Sequence, residues 1–419
     1  MARLSNDYSF NVQTTAPGQR FLPGTAGFRR ASLALFIASF LTFANLYLTQ
    51  PLLPLLVDEF GVSPAASSLT ISLAIFSLGV AMLFWGTISD AVGRRPVMFW
   101  TMALAAVPVL LAPFISSFNQ LLLIRIAQGF LLAGLPSVAM AYLGEEFDSR
   151  ALGLAVGLYI SGNSVGGMGG RVISGIMAES YSWRVSFMVM GIIGVVGVIL
   201  FYYLLPPSTH FKPRSAGLRT AVVAMWSHIK NVTLLKGYGI AFFSMFCFVG
   251  IFNYITFRLS AAPYNLSPAA VGWLFMTYLA GTVSSTLSGR FIDVAGSRLA
   301  VVLGALIALC GVVVLLLPSL WIIVIGLLTF CFGFFAVHAA ASAWVNKQAR
   351  QSKASAMGLY LVCYYVGGSF GSTGLGFLWH YWSWPGVTAG LVIALVIVLL
   401  LGLSLQAARE QVSKIYSRI

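Results

Sequence analysis

The sequence predicts an all-α integral membrane protein, with twelve transmembrane helices arranged in two pseudo-symmetric six-helix bundles. Three observations predict this fold: a scarcity of charge, a series of long apolar runs, and an internal repeat. Only 8% of the 419 residues are charged, while 59% are hydrophobic. Soluble chains carry about 25% charged residues, so the composition excludes a soluble enzyme, a nucleic-acid-binding protein and a disordered chain.

Twelve apolar runs are close to the length of about 20 residues that a membrane-crossing helix needs. The runs are continuous and do not alternate with polar residues, which excludes a transmembrane β-barrel. The predicted spans are 31–57, 66–89, 97–116, 120–143, 151–178, 184–205, 237–258, 267–289, 299–317, 319–344, 355–379 and 385–405.

The basic residues predict the orientation in the membrane. With the N-terminus inside, every Lys and Arg except Arg125, Arg171, Arg184 and Arg258 falls in a cytoplasmic segment. Cytoplasmic loops are rich in Lys and Arg, so we expect both termini in the cytoplasm and the chain in the cell inner membrane. The net charge of +14 is therefore interpreted as topology and not as nucleic-acid binding.

The basic, proline-containing segment between the sixth and seventh spans divides the chain into two halves. The N-terminal tail has no features of a signal peptide. The predicted organisation is a cytoplasmic N-terminal tail at 1–30, a first half at 31–205, a cytoplasmic central loop at 206–236, a second half at 237–405, and a cytoplasmic C-terminal tail at 406–419.

The two halves repeat one another. Ser63-Pro64 before the second span matches Ser267-Pro268 before the eighth, and serine followed by proline is typical of a helix start. The loop residues Gly86, Asp90, Gly93 and Arg95 recur, at one constant offset, as Gly289, Asp293, Gly296 and Arg298. Two six-helix repeats facing each other in a membrane indicate a transporter.

The run from Gly86 to Arg95, GTISDAVGRR, resembles the loop signature of the major facilitator superfamily. Leu121-x-x-x-Arg125-x-x-Gln128-Gly129 looks like its proton-linked fourth-helix motif, and Gln50-Pro51-x-x-Pro54 is similar to the twelve-span drug:proton antiporter branch. In the fifth span Asn163 stands where the antiporter signature has proline. The resemblance implies a proton-coupled exporter that works by alternating access.

The resemblance also implies a cytoplasmic gate. It places Asp90 near the start of the eleventh helix and, by the repeat, Asp293 near the start of the fifth, while Arg94 or Arg95 pairs with Glu145. The alternative is that these residues only fix loop shape. The predicted gating residues are Gly86, Asp90, Gly93, Arg94, Arg95, Glu145, Gly289, Asp293, Gly296 and Arg298.

Two arginines fall inside predicted spans, where a charge is expensive and needs a reason. We expect Arg125 and Arg171 to form an outer-side cluster with Asp58 or Glu59, whose protonation could couple to movement. The alternative is static pairing or snorkelling to the interface. His338, in the tenth span, is a further candidate for proton coupling, or a hydrogen-bonded core residue.

The first, fourth, seventh and tenth helices line the cavity in the family that the chain resembles. The predicted cavity residues are Asn45, Tyr47, Gln50, Asn253, Tyr254, Trp344 and Tyr365. A second set, mostly glycines of the fifth and eleventh spans, has spacing suited to close helix packing. These residues either take part in the movement of the two halves or only pack helices together. The set consists of Gly162, Asn163, Gly166, Gly167, Gly170, Gly367, Gly368 and Gly371.

The sequence therefore predicts a secondary transporter, and not an enzyme, for proton-coupled efflux of small amphipathic, neutral or anionic organic molecules. Proton-coupled import of an anionic metabolite or sugar is the alternative within transport. A channel and an intramembrane enzyme are the alternatives of another class. The predicted partners are a small-molecule substrate, protons and the lipid bilayer, with no nucleic acid, metal or cofactor and with a monomeric chain.

Overall fold

The computed structural model describes residues 20–213, 227–349 and 353–405. The first nineteen residues, much of the central loop and the C-terminal tail at 406–419 lie outside the described residues. The described first half consists of span 1 (Ala26–Tyr47, the 3-10 turn Gln50–Leu52, and Leu53–Phe60), span 2 (Pro64–Val92), span 3 (Arg94–Leu111), span 4 (Phe118–Leu132 and Gly134–Glu146), span 5 (Ser149–Ser180) and span 6 (Trp183–Leu204).

The second half contains two helices that are too long for one crossing. Lys353–Leu403 has 51 residues, which at helical rise is about 77 Å, more than twice the hydrocarbon core. This helix kinks at Ser383, and Leu279–Val314 kinks at Gly296. The second half consists of span 7 (Val232–Ser260), span 8 (Pro268–Leu274, the 3-10 turn Phe275–Tyr278, and 279–295), span 9 (297–314), span 10 (Leu320–Gln348), span 11 (353–382) and span 12 (384–403).

The span count agrees with the sequence. Nine helical segments in the described ranges are long and apolar enough to cross a membrane. Two of these segments, the kinked ones, comprise two spans each, and the glycine-rich helix Ser149–Ser180 adds one more. The twelve-helix, all-α prediction is confirmed. The first helix begins at Ala26 and not at Ala31, because Thr25 caps it by accepting a hydrogen bond from the Phe28 N–H.

The repeat is visible in the backbone. Ser63 and Ser267 both cap their helices as expected, accepting from Ala66 N and Ala270 N. Gly93 and Gly296 both have left-handed φ values, 114° and 84°. Glycine has no Cβ to oppose that conformation, so the repeated glycine terminates span 2 and span 8 in the same way.

The chain ends of the two halves lie on one side of the bundle. Arg30 Nη2 donates to the Tyr203 carbonyl (2.8 Å) and joins the start of span 1 to the end of span 6. Lys236 Nζ donates to the Ser404 carbonyl (2.8 Å) and joins the start of span 7 to the end of span 12. We call this the termini side and the opposite side the far side.

The halves pack on each other through span 2 with span 11 and span 5 with span 8. Glycines at these contacts allow backbones to approach: Gly79 faces Tyr365, Gly175 faces Pro268, and Gly272 faces the Arg171 carbonyl. The contacts of Gly175 and Gly272 lie in the far-side parts of spans 5 and 8, whereas Gly79 and Tyr365 meet near the middle of spans 2 and 11. Toward the termini side, Gly86 and Gly289 have no described atom near the position that a Cβ would take.

Candidate functional site

Arg125 lies fully buried in span 4 and holds the broken end of span 1. Its Nε donates to the Thr70 carbonyl (2.8 Å) and Nη1 to the Asn45 carbonyl (3.0 Å). The guanidinium also donates to Gln128 Oε1 and the Leu46 carbonyl. These bonds give a membrane-buried cation four oxygen acceptors on three spans.

The break in span 1 explains why the carbonyls are available. The α-helix ends at Tyr47 and the 3-10 turn Gln50–Leu52 follows, with Pro51 inside it. The last carbonyls of a helix have no intrahelical partner, and proline has no N–H to offer. Those carbonyls also carry the negative end of the helix dipole, so a guanidinium is a suitable partner for them.

Arg171 lies fully buried in span 5, on the other side of the same break. Its Nε donates to Gln50 Oε1 and its Nη1 to the Gly167 carbonyl, each at 2.5 Å. Its Cζ lies 4.2 Å from the ring centroid of Tyr47, 4.5 Å from that of Phe275 and 4.8 Å from that of Tyr278. Cation–π attraction to three rings thus helps to stabilise the buried charge.

A chain of polar side chains leads from Arg171 across the boundary between the halves. Gln50 Nε2 donates to Asn253 Oδ1 (2.7 Å), and Asn253 Nδ2 donates to Ser372 Oγ (2.6 Å). Ser372 Oγ then donates to the Ser68 carbonyl in span 2 (3.0 Å). The chain therefore runs from the first half into the second and back, and every side chain that donates in it is fully buried.

Two further contacts join the halves on the far side. Ser72 Oγ donates to the Ser369 carbonyl (2.8 Å) and lies 2.6 Å from Thr373 Oγ1. Ala269 N, at the start of span 8, donates to Glu179 Oε2 at the end of span 5 (3.1 Å). These bonds hold the far side closed.

The predicted cluster of Arg125 and Arg171 with Asp58 or Glu59 is wrong. Both carboxylates are exposed at the far end of span 1, and Glu59 pairs instead with Arg184 (2.6 Å). The prediction assumed that a buried arginine needs a carboxylate. Here helix-end carbonyls, amide oxygens and aromatic rings stabilise the two guanidinium groups. No carboxylate of the described residues pairs with either of them.

The termini-side motif forms an ion-pair network in the first half. Arg94 Nη1 donates to Asp90 (2.6 Å) and to Ser89 Oγ (2.7 Å), and Nη2 donates to Glu145 (2.8 Å). Arg94, and not Arg95, therefore pairs with Glu145. Arg95 Nη2 donates to the Tyr202 carbonyl (2.9 Å).

The expected docking of Asp90 at span 11 and of Asp293 at span 5 is not seen in this conformation. Within the described ranges, neither carboxylate has a hydrogen bond to the opposite half, and Asp293 and Arg298 have no ion pair. In the second half Asn346 and Lys347 stand where Glu145 would repeat, so the second motif has no matching acid for its arginine.

The beginning of the central loop is attached to the end of span 4. The Glu146 carboxylate is buried and accepts from the Thr209 hydroxyl (2.8 Å) and the His210 N–H (2.8 Å), with His210 Nδ1 at 3.0 Å. In the adjacent turn, the hydrogen bond from Arg150 lowers the pKa of Asp148 below its usual range. These contacts fix the loop beside the Arg94 network.

The predicted cavity residues fall into two groups. Tyr47, Gln50, Asn253, Tyr254 and Tyr365 lie at or beside the far-side closure, where the Tyr254 hydroxyl donates to the Ser372 carbonyl (2.7 Å). Asn45 and Trp344 lie inside their own halves, Asn45 beside a water-sized cavity of about 20 Å³ and Trp344 against Gly237.

The glycine ladders pack helices within each half and not between the halves. Gly162, Gly166 and Gly170 face the span 1 backbone at Phe36, Phe40 and Ala44, while Gly367 and Gly371 face the span 7 backbone at Phe242 and Phe246. Asn163 receives a hydrogen bond from Ser39 of span 1. Gly167 and Gly368 face the side chains of Arg171 and Met245.

The comparisons with known proteins decide the family. The family model described as Major Facilitator Superfamily matches residues 35–262 and 259–415. This chain belongs to the major facilitator superfamily.

Relatives align over almost the whole chain. The inner membrane transport protein YnfM of Escherichia coli (strain K12) is 40% identical over 386 residues, covering 92% of this chain and 93% of YnfM. The MFS-type transporter YybF of Bacillus subtilis (strain 168) is 39% identical over 377 residues, covering 90% and 93%. A bacterial Spinster homologue, solved inward-facing and unoccupied, has a TM-score of 0.71 at 17% identity, covering 88% and 94%.

Membership in this superfamily makes the chain a multi-pass secondary transporter for a small-molecule substrate.

His338 is the titratable imidazole of span 10. It is half-buried, lies 3.1 Å from the Tyr360 hydroxyl through Nδ1 and faces the Tyr364 ring at 4.6 Å between centroids. The imidazole is therefore held by a hydroxyl and by ring contacts.

Several functional candidates in this transporter were not found by sequence reasoning. Ser68, Ser72, Ser369 and Ser372 join the halves, and Phe275 and Tyr278 enclose Arg171. The available signal was the small polar residues in otherwise apolar parts of spans 2 and 11. Serine is also common where helices simply pack in membranes, so this signal alone does not distinguish a closure from a packing contact.

Proposed function

We propose that this transporter exports small neutral or anionic organic molecules in exchange for protons, by alternating access between the two halves. The observation that carries the proposal is the one-sided distribution of contacts between halves. A buried polar chain and close glycine contacts join the halves on the far side. On the termini side, Asp90 and Asp293, which occupy equivalent positions in the two halves, have no partner in the opposite half among the described residues.

The orientation rests on the positive charge of the loops. The basic residues of the termini-side segments suit the cytoplasm, which makes the far side the outer side. The conformation is then inward-open, with the substrate path leading from the cytoplasm to the closure near Gln50 and Asn253. Opening that closure while the Asp90 and Asp293 motifs dock would present the same site to the outside.

His338 is the residue that we propose as the proton carrier. Arginine stays protonated in proteins, so Arg125 and Arg171 do not themselves exchange protons. Asp58 and Glu59 are exposed at the far end, whereas His338 lies on the span 10 surface among Tyr360, Tyr364 and Phe334. An imidazole can accept and release a proton, which the two buried guanidinium groups cannot do.

The test uses inside-out vesicles with a fluorescent pH probe and an imposed acid-inside gradient. Drugs, sugars and organic anions are added in turn, and a compound that discharges the gradient only when the protein is present identifies antiport. We expect His338→Gln to abolish discharge, while His380→Gln, an exposed histidine at the end of span 11, behaves as wild type.

The alternative is proton-coupled import of an anionic metabolite or sugar, which two membrane-buried arginines would also suit. The same vesicles separate the two directions. Under import coupling, labelled substrate leaves the vesicle lumen together with protons; under export coupling, it accumulates in the lumen as protons leave. Transport of labelled compounds that neither makes nor uses a pH gradient would contradict the proton-coupling part of the proposal.

A further inference from the structure

Arg171 retains one donor that its own surroundings do not use. Its Nε and Nη1 are occupied by Gln50 and the Gly167 carbonyl, but Nη2 is buried with no hydrogen-bond partner among the described residues. A buried polar hydrogen left unpaired destabilises the folded state, and more so on a charged group. This unpaired donor is therefore expensive in the conformation described.

A second incompletely paired group lies beside it. The Tyr278 ring centroid is 4.8 Å from Arg171 Cζ, and the buried Tyr278 hydroxyl interacts with the guanidinium but has no acceptor for its own proton among the described residues. Glu59 is committed to Arg184 and Glu179 accepts from Ala269 N, while Asp58 is exposed. The guanidinium thus has no carboxylate counter-ion in the described part of the chain.

The location is one where transporters bind ligands. Arg171 lies between the 3-10 break Gln50–Leu52 in span 1 and the 3-10 break Phe275–Tyr278 in span 8. One break belongs to each half, and interrupted helices at the interface of two halves are typical of substrate sites. Tyr47 connects this place with the space between the halves, since it faces Arg171 and stacks on the half-buried Phe43.

We propose that Arg171 Nη2 and the Tyr278 hydroxyl bind the carboxylate of an amphipathic aromatic monoanion, whose apolar part rests on Tyr47 and Phe275. This inference rests on the proposed export of organic molecules and names their class. Guanidinium–carboxylate bonds are among the stronger hydrogen bonds in proteins. The anion supplies the missing partner of both groups and the missing counter-ion of Arg171.

The same site provides a link to the far-side closure. Gln50 accepts from Arg171 and donates to Asn253 of the opposite half. A carboxylate bound at Nη2 neutralises the guanidinium, and this weakens its Nε bond to Gln50, the first bond of the polar chain that joins the halves. Binding of the anion from the termini side therefore favours release of the far side, which is the order of events that export requires.

The test measures binding to the purified full chain in nanodiscs, with no pH gradient. The probes are benzoate and its uncharged isostere benzamide, followed by thermal unfolding and by equilibrium dialysis of labelled benzoate. We expect benzoate to raise Tm and benzamide to have no effect. Arg171→Gln should weaken benzoate binding at least tenfold, and Arg171→Lys should give an intermediate affinity.

The matched pair Tyr278→Phe and Tyr238→Phe keeps the test informative if Arg171→Gln does not fold. Each removes one buried tyrosine hydroxyl, but only the Tyr278 ring lies beside Arg171, whereas Tyr238 lies near the start of span 7 and outside the proposed site. We expect Tyr278→Phe to weaken binding several-fold and Tyr238→Phe to leave it within twofold. Equal effects of benzoate and benzamide, no benzoate binding to the wild type, or equal affinities of the two tyrosine variants would overturn the proposal. Benzoate binding without gradient discharge would instead contradict only the proposed proton exchange.

Discussion

Within the described part of this transporter, Arg125 and Arg171 are stabilised inside the membrane without an acidic partner. Arg125 uses carbonyl oxygens exposed by the break in span 1, and Arg171 uses an amide oxygen, a carbonyl and three rings. Both side chains therefore keep a permanent positive charge beside the path between the halves. A fixed positive potential there disfavours organic cations and favours neutral or anionic molecules.

Replacement of Arg125 by lysine tests whether its geometry or only its charge matters. Lysine carries a compact ammonium, which cannot reach acceptors on spans 1, 2 and 4 at once. We expect Arg125→Lys to lower the free energy of unfolding by about 2 kcal/mol, because buried carbonyls lose their hydrogen-bond donors. Thermal unfolding in detergent measures this change. Arg150→Lys, whose side chain is 74% exposed, is the control and should change stability by under about 0.5 kcal/mol. Equal stability of the two variants would contradict the clamp at span 1.

Close helix packing within each half depends on glycines at particular faces of span 5. Gly166 faces the Phe40 backbone, whereas Gly157, on the same helix, has no atom within 4 Å of its Cβ position. We expect Gly166→Ala to destabilise the protein by about 2 kcal/mol through overpacking. Gly157→Ala should be neutral or stabilise by up to about 1 kcal/mol through helix propensity. The comparison uses thermal unfolding of both variants, and a destabilised Gly157→Ala alongside a wild-type-like Gly166→Ala would refute the assignment.

The helices were largely predictable, but the contacts made at their breaks were not. Apolar length, serine–proline starts and the repeated glycines Gly93 and Gly296 predict the spans and their ends, because each depends on local chemistry. The partners of Arg125 and Arg171 depend on where span 1 breaks, and Pro51 indicates a break without indicating which carbonyls it frees. Arg94 and Glu145 could be paired from the family resemblance, whereas the serines joining spans 2 and 11 depend on the packing of two distant segments.

The whole molecule behaves as two packed bodies with a polar seam on one side. The seam consists of the polar chain from Gln50 through Asn253 and Ser372 to Ser68, together with the contact between Ser72 and Thr373. Its side chains are neutral and only Arg171 beside it is charged, so it can open without separating a buried ion pair. Uncompensated buried charges are costly, and a seam of amides and hydroxyls exchanges its bonds with water at a modest net cost. This composition suits a closure that must open in every transport cycle.

A disulfide across the seam tests the central claim, that transport requires the far side to open. The hydroxyl oxygens of Ser72 and Thr373 are 2.6 Å apart, close to the ~2.05 Å of an S–S bond. We expect oxidation of the Ser72→Cys/Thr373→Cys double variant to form this bond, to stop uptake of labelled substrate into inside-out vesicles, and to be reversed by reduction. Each single variant should transport with or without oxidant. Full transport by the cross-linked double variant, or failure of the two cysteines to join, would contradict the account.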